Sequence, residues 1–175
     1  MSPGVVLRAS VVVFAAALLQ AVLASSLVVG GGAPDVLLLV VISFGLLRGS
    51  VAGASVGFAG GLLVDLLTLD TLGLTSLILT LAGFWAGRYG ETTARGRHLP
   101  PVLAAGVITV LVAVFAFLLR YLLGEAVVAQ QALVTALAPT LMLNLALALP
   151  VHALVRAAVH ERADIASSSE VEVVV

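Results

Sequence analysis

The chain has 175 residues, of which 62% are hydrophobic and 10% charged, and its mean hydropathy is +1.25. Soluble domains are roughly half apolar and roughly a quarter charged, so this apolar excess exceeds one soluble core and must face lipid. The net charge of −1 without a basic cluster excludes a nucleic-acid partner, and the absence of cysteine excludes thiolate metal sites and disulfides. The composition predicts an all-α, polytopic membrane protein.

Short polar or glycine-rich breaks divide the chain into six apolar segments. The first could pass for a signal peptide, but its length is nearer a full membrane span, which favours an uncleaved helix. The six segments are predicted at about residues 5–29, 36–47, 50–69, 72–87, 102–123 and 126–159. We expect one membrane domain over residues 1–160 and a disordered cytoplasmic tail over residues 161–175.

Two of these segments are irregular. The second follows Asp35, a good N-cap, but has only about a dozen residues. Three arrangements are open for it: an oblique span, a partly interfacial helix, or continuity with the third segment. The sixth contains Pro139 and Pro150, which predicts either a kink or a late start.

The arginines predict the topology. If six spans begin from a cytoplasmic N-terminus, only Arg120 falls outside, as the positive-inside rule requires. Both termini are then cytoplasmic. Asp65 lies about 24 Å along a helix from Gly49, in a hydrocarbon core of about 30 Å. It is therefore placed in the outer leaflet, where a carboxylate costs less than at the midplane. The acids on the outer side are Asp35, Asp65, Asp70 and Glu125.

Glycine recurs at every fourth position before Asp65. Residues four apart share a helix face, and small residues there allow another backbone to approach closely. The helix-packing face is predicted at Gly49, Gly53, Gly57 and Gly61, with Gly45 preceding it. It could receive a partner helix or pack against the protein's own helices. Gly83 and Gly87 of the fourth segment repeat the spacing and are expected to meet the third.

Asp65 is open to two interpretations. It could be a polar anchor in an outward-facing pocket shared with Asp35 and Asp70. Alternatively, it could be a buried carboxyl bonded to Thr68, Thr71 or backbone N–H groups at the start of the fourth segment, fixing the turn.

The remaining polar side chains inside the segments are few. Gln20 and Asn144 are expected to bond across helices. His152, Arg156 and His160 share one face and are interpreted as an interfacial anchor. No pattern typical of a catalytic, cofactor-binding or metal site is present in the sequence. We therefore predict a protein that is not an enzyme and holds no cofactor.

Four stretches between residues 34 and 87 form a recognisable set. They are Pro34-Asp35 with the aliphatic run behind it, Arg48-Gly49, GFAGGLLVDLL at 57–67, and Thr71-Leu72-Gly73. Together they resemble the rod shape-determining protein MreD family. The resemblance departs from the family at one turn, where members often carry Ser-Gly-x-Pro and this chain has Thr68-Leu69-Asp70-Thr71.

The resemblance implies a non-enzymatic, multi-pass subunit of the cell-elongation machinery in the bacterial inner membrane. Such proteins pair with an MreC-type scaffold and work beside MreB filaments, RodA and a transpeptidase in lateral peptidoglycan synthesis. Their fold is thought to resemble the S-components of energy-coupling-factor transporters. The residues implied at an outward pocket or its turn are Pro34, Asp35, Asp65, Asp70, Leu72 and Gly73.

That fold suggests a second hypothesis, a vitamin-binding S-component. Ala17 and Ala21 in the first segment, spaced for helix docking, are weakly consistent with it. Vitamin pockets need aromatic and hydrogen-bonding groups, however, and only 5% of this chain is aromatic. A glycine-lined aliphatic cavity suits a helix or a lipid better. A channel would need polar residues at successive depths, which the sequence lacks.

Overall fold

The structure is a computed structural model that describes residues 3–26, 31–69, 71–92, 99–124 and 126–159. Within these residues all regular elements are α-helices, which confirms the all-α prediction. The described helices are α1 Pro3–Ser26, α2 Val36–Arg48, α3 Ser50–Thr68, α4 Leu74–Thr92, α5 Leu99–Leu122 and α6 Ala126–Val159. The predicted segments correspond one to one with them.

Three stretches in the described residues are long and apolar enough to cross a membrane: Ser50–Thr68, Pro101–Leu122 and Thr135–Val159. Two shorter apolar stretches, Leu7–Val22 and Val36–Arg48, accompany them. A helical bundle of this apolar character fits a membrane protein.

The short helix α2 lies at the centre of the bundle. It contacts each of the other five described helices, and the run Leu37–Gly45 is buried on every side. A helix that is apolar all round belongs in such an interior. Of the three arrangements open from the sequence, continuity with the third segment is wrong, because Gly49 separates α2 from α3. The 13 residues of α2 rise only about 20 Å, so the longer helices around it can cover its whole length.

The other helices surround α2 as a ring in the order α1, α3, α4, α5, α6 and back to α1. Among the described residues, each ring helix contacts only its two ring neighbours and α2. The closest association in the ring is the antiparallel hairpin of α3 and α4.

Two breaks in the helices have clear backbone causes. Gly49 separates α2 from α3 with φ of +93°, a conformation that glycine adopts without a side-chain penalty. α3 ends at Leu69, also at positive φ. α6, by contrast, begins at Ala126 and continues through Pro139 and Pro150 to Val159, so it does not start late.

The bundle has two ends, which we call the arginine end and the aspartate end. At the arginine end, the Arg48 guanidinium donates to the carbonyl of Val159 at 2.8 Å, which joins the ends of α2 and α6. The aspartate end contains Asp35, where α2 begins, and Asp65, near the end of α3.

Candidate functional site

Asp65 is fully buried at the aspartate end, with 0% of its surface exposed. Its Oδ2 accepts hydrogen bonds from the backbone N–H groups of Gly73 at 2.8 Å and Ser76 at 3.3 Å. The carboxylate therefore meets the start of α4, where the helix dipole and free N–H groups favour an anion. The hydroxyl of Thr68, another predicted partner, donates instead to the carbonyl of Val64.

The reach of Asp65 depends on how closely α3 and α4 approach. A Cβ added at Gly61 would lie 2.7 Å from the backbone nitrogen of Ser76, so only glycine permits this separation. The Ser76 hydroxyl also donates to the carbonyl of Phe58 at 3.0 Å. We call this arrangement of Phe58, Gly61, Asp65, Gly73 and Ser76 the hairpin lock. Asp65 Oδ1 is buried in it with no hydrogen-bond partner in the described structure.

Leu69, the residue at which α3 ends, has an unusual backbone conformation, with a φ of +52°. This left-handed conformation suits glycine and costs a leucine free energy. The side chain is 90% exposed and gains little from packing. The chain therefore forms the turn geometry without the residue best suited to it.

The beginning of α2 is a second polar centre at the aspartate end. Asp35 caps its own helix, because its Oδ1 accepts from the N–H of Leu38 at 2.9 Å. Gln20 of α1 accepts from the N–H groups of Val36 and Leu37 at 2.9 and 3.4 Å. These bonds satisfy donors that the helix itself leaves free.

Asn144 of α6 completes this centre. It is fully buried, and its Oδ1 accepts from the N–H of Asp35 at 2.8 Å. Its Nδ2 donates to the Thr109 hydroxyl of α5 at 3.1 Å. We call Gln20, Asp35, Thr109 and Asn144 the α2 cap. Cross-helix bonding by Gln20 and Asn144 was predicted, but their shared target, the first turn of α2, was missed.

The α2 cap has a physical reason. A backbone N–H group that has no hydrogen-bond partner in hydrocarbon raises the free energy of the folded protein by several kcal/mol. The first turn of α2, a helix shorter than its neighbours, is covered by other helices. Side chains from those helices therefore accept from its N–H groups. The sequence signal that could have pointed here is the combination of a short helix with isolated amides in long ones.

A cavity of about 230 Å³ lies beside the α2 cap, between α2, α5 and α6. Its wall is mostly apolar, with five polar or charged residues. These are Asp35, Thr109, Arg120, Thr140 and Asn144.

The structure divides the residues predicted for one outward pocket between two places. Asp35 lines the cavity, whereas Asp65 and Gly73 form the hairpin lock and do not line it. Pro34 is buried just before α2, and Leu72 is 66% exposed in the turn before α4. These described residues therefore do not all line this cavity, because Asp65 is bound to the backbone of α4. Asp70, Glu125, His160 and residues 161–175 lie outside the described residues.

The predicted helix-packing face is occupied by the chain's own α4. Added Cβ atoms at Gly53, Gly57 and Gly61 would each collide with backbone atoms of α4. Gly83 of α4 meets Gly53 in the same way, and Gly87 meets the backbone of Ser50, as expected from their spacing.

Gly49 departs from this face and corrects that part of the prediction. It lies in the break before α3, and a Cβ there would meet the Glu91 side chain at 2.9 Å rather than a backbone. The spacing of four continued through the break, so it gave no sign that the helix had ended.

Glu91 joins the two helices of the hairpin, and the sequence did not predict this role. At the arginine end its Oε1 accepts from the N–H of Ser50 at 2.8 Å and from the Ser50 hydroxyl at 2.9 Å. These bonds, the backbone one first, hold the pKa of Glu91 below its ordinary value of 4.5, with a smaller contribution from Arg88. Glu91 thus caps α3 from 41 residues away, and α4 continues to Thr92 instead of ending at Gly87.

Within the described residues no cluster of three or more potential metal ligands is present. The arrangement can hold helix ends together and enclose a small cavity. Its polar groups mostly bind backbone N–H groups at the ends of helices.

One comparison with known proteins gives a match. The family model for rod shape-determining protein MreD matches residues 4–160, a range that spans all six described helices. No curated protein and no solved structure gives a significant match.

Proposed function

The chain belongs to the MreD family of rod shape-determining proteins, and on that premise we propose that it is a non-enzymatic subunit of the bacterial cell-elongation machinery. Family membership gives the role in rod shape. The proposal adds that the protein binds an MreC-type scaffold and, through it, supports lateral peptidoglycan synthesis by RodA and a transpeptidase. The observation that carries it is a family match over the whole helical bundle rather than over one motif.

We further propose six spans in the inner membrane, with one membrane domain over residues 1–160 and both termini in the cytoplasm. The arginine pattern supports this topology. So does the contact between Arg48 and Val159, which puts the ends of α2 and α6 on one side of the bundle. Residues 161–175 are proposed to be a disordered cytoplasmic tail.

The topology can be tested cleanly because the chain has no cysteine. Single cysteines at Arg120 and Ser168 would be exposed to a membrane-impermeant thiol reagent. We expect Arg120→Cys to be labelled in intact spheroplasts and Ser168→Cys only after permeabilisation. The opposite pattern, or labelling of both from one side, would contradict the proposed topology.

The assembly role calls for two coupled measurements. In a rod-shaped host depleted of its own MreD, we expect rounded cells that recover rod shape when this chain is expressed with its own MreC-type scaffold. We also expect the scaffold to co-purify with it. If the chain inserts normally into the membrane but neither restores rod shape nor co-purifies with the scaffold, the proposal is wrong.

The alternative, a vitamin-binding S-component, is less well supported. Ligand pockets typically enclose about 300 to 1,000 Å³ and converge several polar groups on the ligand. The cavity here is about 230 Å³, and its amide, Asn144, is already bonded at both ends. A tight, saturable vitamin affinity of the purified protein would reverse this preference.

A further inference from the structure

The cavity beside the α2 cap extends along α5 from the level of the cap toward the outer end of that helix. Thr109 and Arg120, both in its wall, are 11 residues apart, which corresponds to about 16 Å of helix. The first turn of α2, with Asp35, meets it at the Thr109 level through Asn144. The cavity therefore has an acidic inner end and a basic residue farther out.

The start of α2 does not offer this cavity an anion site. A helix N-terminus binds anions through its free N–H groups, but the first four here are bonded to Gln20, Asp35 and Asn144. Asn144 is bonded at both ends of its amide, since its Nδ2 also donates to Thr109.

Other polar atoms in the wall remain available to a ligand. In the described structure Asp35 Oδ2 and the Thr140 hydroxyl make no hydrogen bond, whereas Asp35 Oδ1 is used in the helix cap. Arg120 presents five N–H donors, so it can hold an acceptor alongside any other partner. A ligand would thus meet acceptors at the inner end and donors farther out.

The signs of these charges select the ligand. A simple anion would face the Asp35 carboxylate, and a simple cation would face Arg120. A purely apolar molecule would leave the carboxylate and the Thr140 hydroxyl unmatched. The apolar part of the wall, which includes Val112 and Phe117, requires an apolar body as well. A zwitterion with apolar chains meets all three conditions.

We propose that this cavity binds the headgroup of a phospholipid with a primary ammonium group, that is, a phosphatidylethanolamine. The ammonium donates to Asp35 and Thr140, and the phosphate accepts from Arg120. The acyl chains run over the exposed apolar surface of α5 and α6, which includes Leu118 and Met142. A primary ammonium has three N–H donors, whereas the trimethylammonium of phosphatidylcholine has none.

The test uses the full-length protein purified alone, so its result is independent of scaffold binding. Retention of lipids with matched chains would be measured by native mass spectrometry for phosphatidylethanolamine, its N-methylated series, phosphatidylcholine and phosphatidylglycerol. We expect retention to fall with each methyl group, by about tenfold or more between the first and the fully methylated lipid. Equal retention of these two, or a preference for phosphatidylglycerol, would overturn the proposal.

Substitutions in the cavity wall test the roles of Asp35 and Thr140 directly. Asp35→Asn preserves the helix cap, because asparagine is an equally good N-cap, but removes the charge. We expect it to reduce the preference to within about twofold, and Thr140→Val to weaken it less. The control is Glu91→Gln, the same acid-to-amide change at the arginine end, which should leave the preference unchanged. An unaltered preference in folded Asp35→Asn would contradict the assignment.

A soluble competitor separates a lipid from a free metabolite. If phosphoethanolamine at the same concentration competes as well as the lipid itself, the site recognises the headgroup alone, and assignment to a lipid is wrong. We expect at least tenfold weaker competition, since phosphoethanolamine lacks the chains that the apolar wall contacts.

Discussion

The α3–α4 hairpin and the α5–α6 pair are both neighbours in sequence and in the ring, yet they are held together differently. In the hairpin, glycines bring the two backbones into direct contact, and a Cβ at Gly57 would collide with the backbone of Leu79. In the other pair, a Cβ at Gly106 would meet only a terminal carbon of Leu145, at 3.3 Å. The cavity lies beside the second pair.

The difference shows where two backbones are in direct contact and where the bundle leaves a cavity. Lipid chains are as apolar as leucine, so helices in a membrane associate through close packing and hydrogen bonds. The hairpin has both, since Asp65 closes one end and Glu91 the other. The α5–α6 pair relies on side-chain contacts and on Asn144, and it leaves space.

The largest expected effect on stability comes from a glycine-to-alanine change in the α3–α4 hairpin, compared with the same change in the α5–α6 pair. Gly57→Ala should destabilise the fold by about 2 to 3 kcal/mol, because backbone cannot move aside. Gly106→Ala should be neutral or stabilise by up to about 1 kcal/mol, since alanine favours helix and the Leu145 tip can rotate. Thermal unfolding in detergent, followed by the single tryptophan, Trp85 of α4, measures both. Equal effects would break the distinction between the two pairs.

The hairpin lock gives the next effect. Asp65→Leu leaves the N–H groups of Gly73 and Ser76 buried without acceptors and should cost about 2 kcal/mol. Asp65→Asn retains an acceptor and should insert normally, with a smaller loss of stability and with disturbed function. Unfolding and rod-shape complementation would be measured together. Full complementation by Asp65→Leu would show that the carboxyl has no role.

A smaller effect of opposite sign is expected at the turn of the hairpin. Leu69→Gly should stabilise the protein by about 1 kcal/mol, because the left-handed conformation no longer opposes a Cβ. Little burial is lost, since Leu69 is 90% exposed. The matched control is Leu72→Gly, at a neighbouring exposed leucine without a positive φ, which should not stabilise. A lower unfolding temperature for Leu69→Gly would contradict the assigned turn.

The smallest effect is a dependence on pH at the arginine end. The Ser50 hydrogen bonds lower the pKa of Glu91 in the folded protein. Their contribution to stability is therefore fully present above the ordinary value of 4.5 and is lost as the pH falls through the lowered folded value. Glu91→Gln should remove this part of the acid dependence. If the unfolding temperature of Glu91→Gln falls with decreasing pH as steeply as that of the unaltered protein, Glu91 does not make this contribution.

Local patterns predicted much of the hairpin. Hydropathy and turn residues placed all six helices, and the spacing of Gly83 and Gly87 correctly predicted their contact with α3. Such signals act within one helix or between consecutive ones, so a residue's neighbours in sequence carry them. The role of Gly49 was wrong for the same reason, because a periodicity does not reveal a change of backbone direction.

The α2 cap could not be predicted in this way. Asn144 bonds to Asp35 across 109 residues, and nothing in either local stretch specifies that pairing. The same holds for Glu91 and Ser50. Residues expected in one pocket, Asp35 and Asp65, were separated because each carboxylate found backbone donors at a different helix start.

The sequence by itself determined that this chain is an all-helical protein of the MreD family, with its apolar segments and its close-packed hairpin, because those properties depend on composition and short-range spacing. Only the tertiary structure decided that α2 is the enclosed centre, that amides from α1 and α6 replace water at its first turn, and that a charged cavity remains beside it. The physical reason is that a short helix inside a bundle must satisfy its backbone with whichever side chains the fold brings to it.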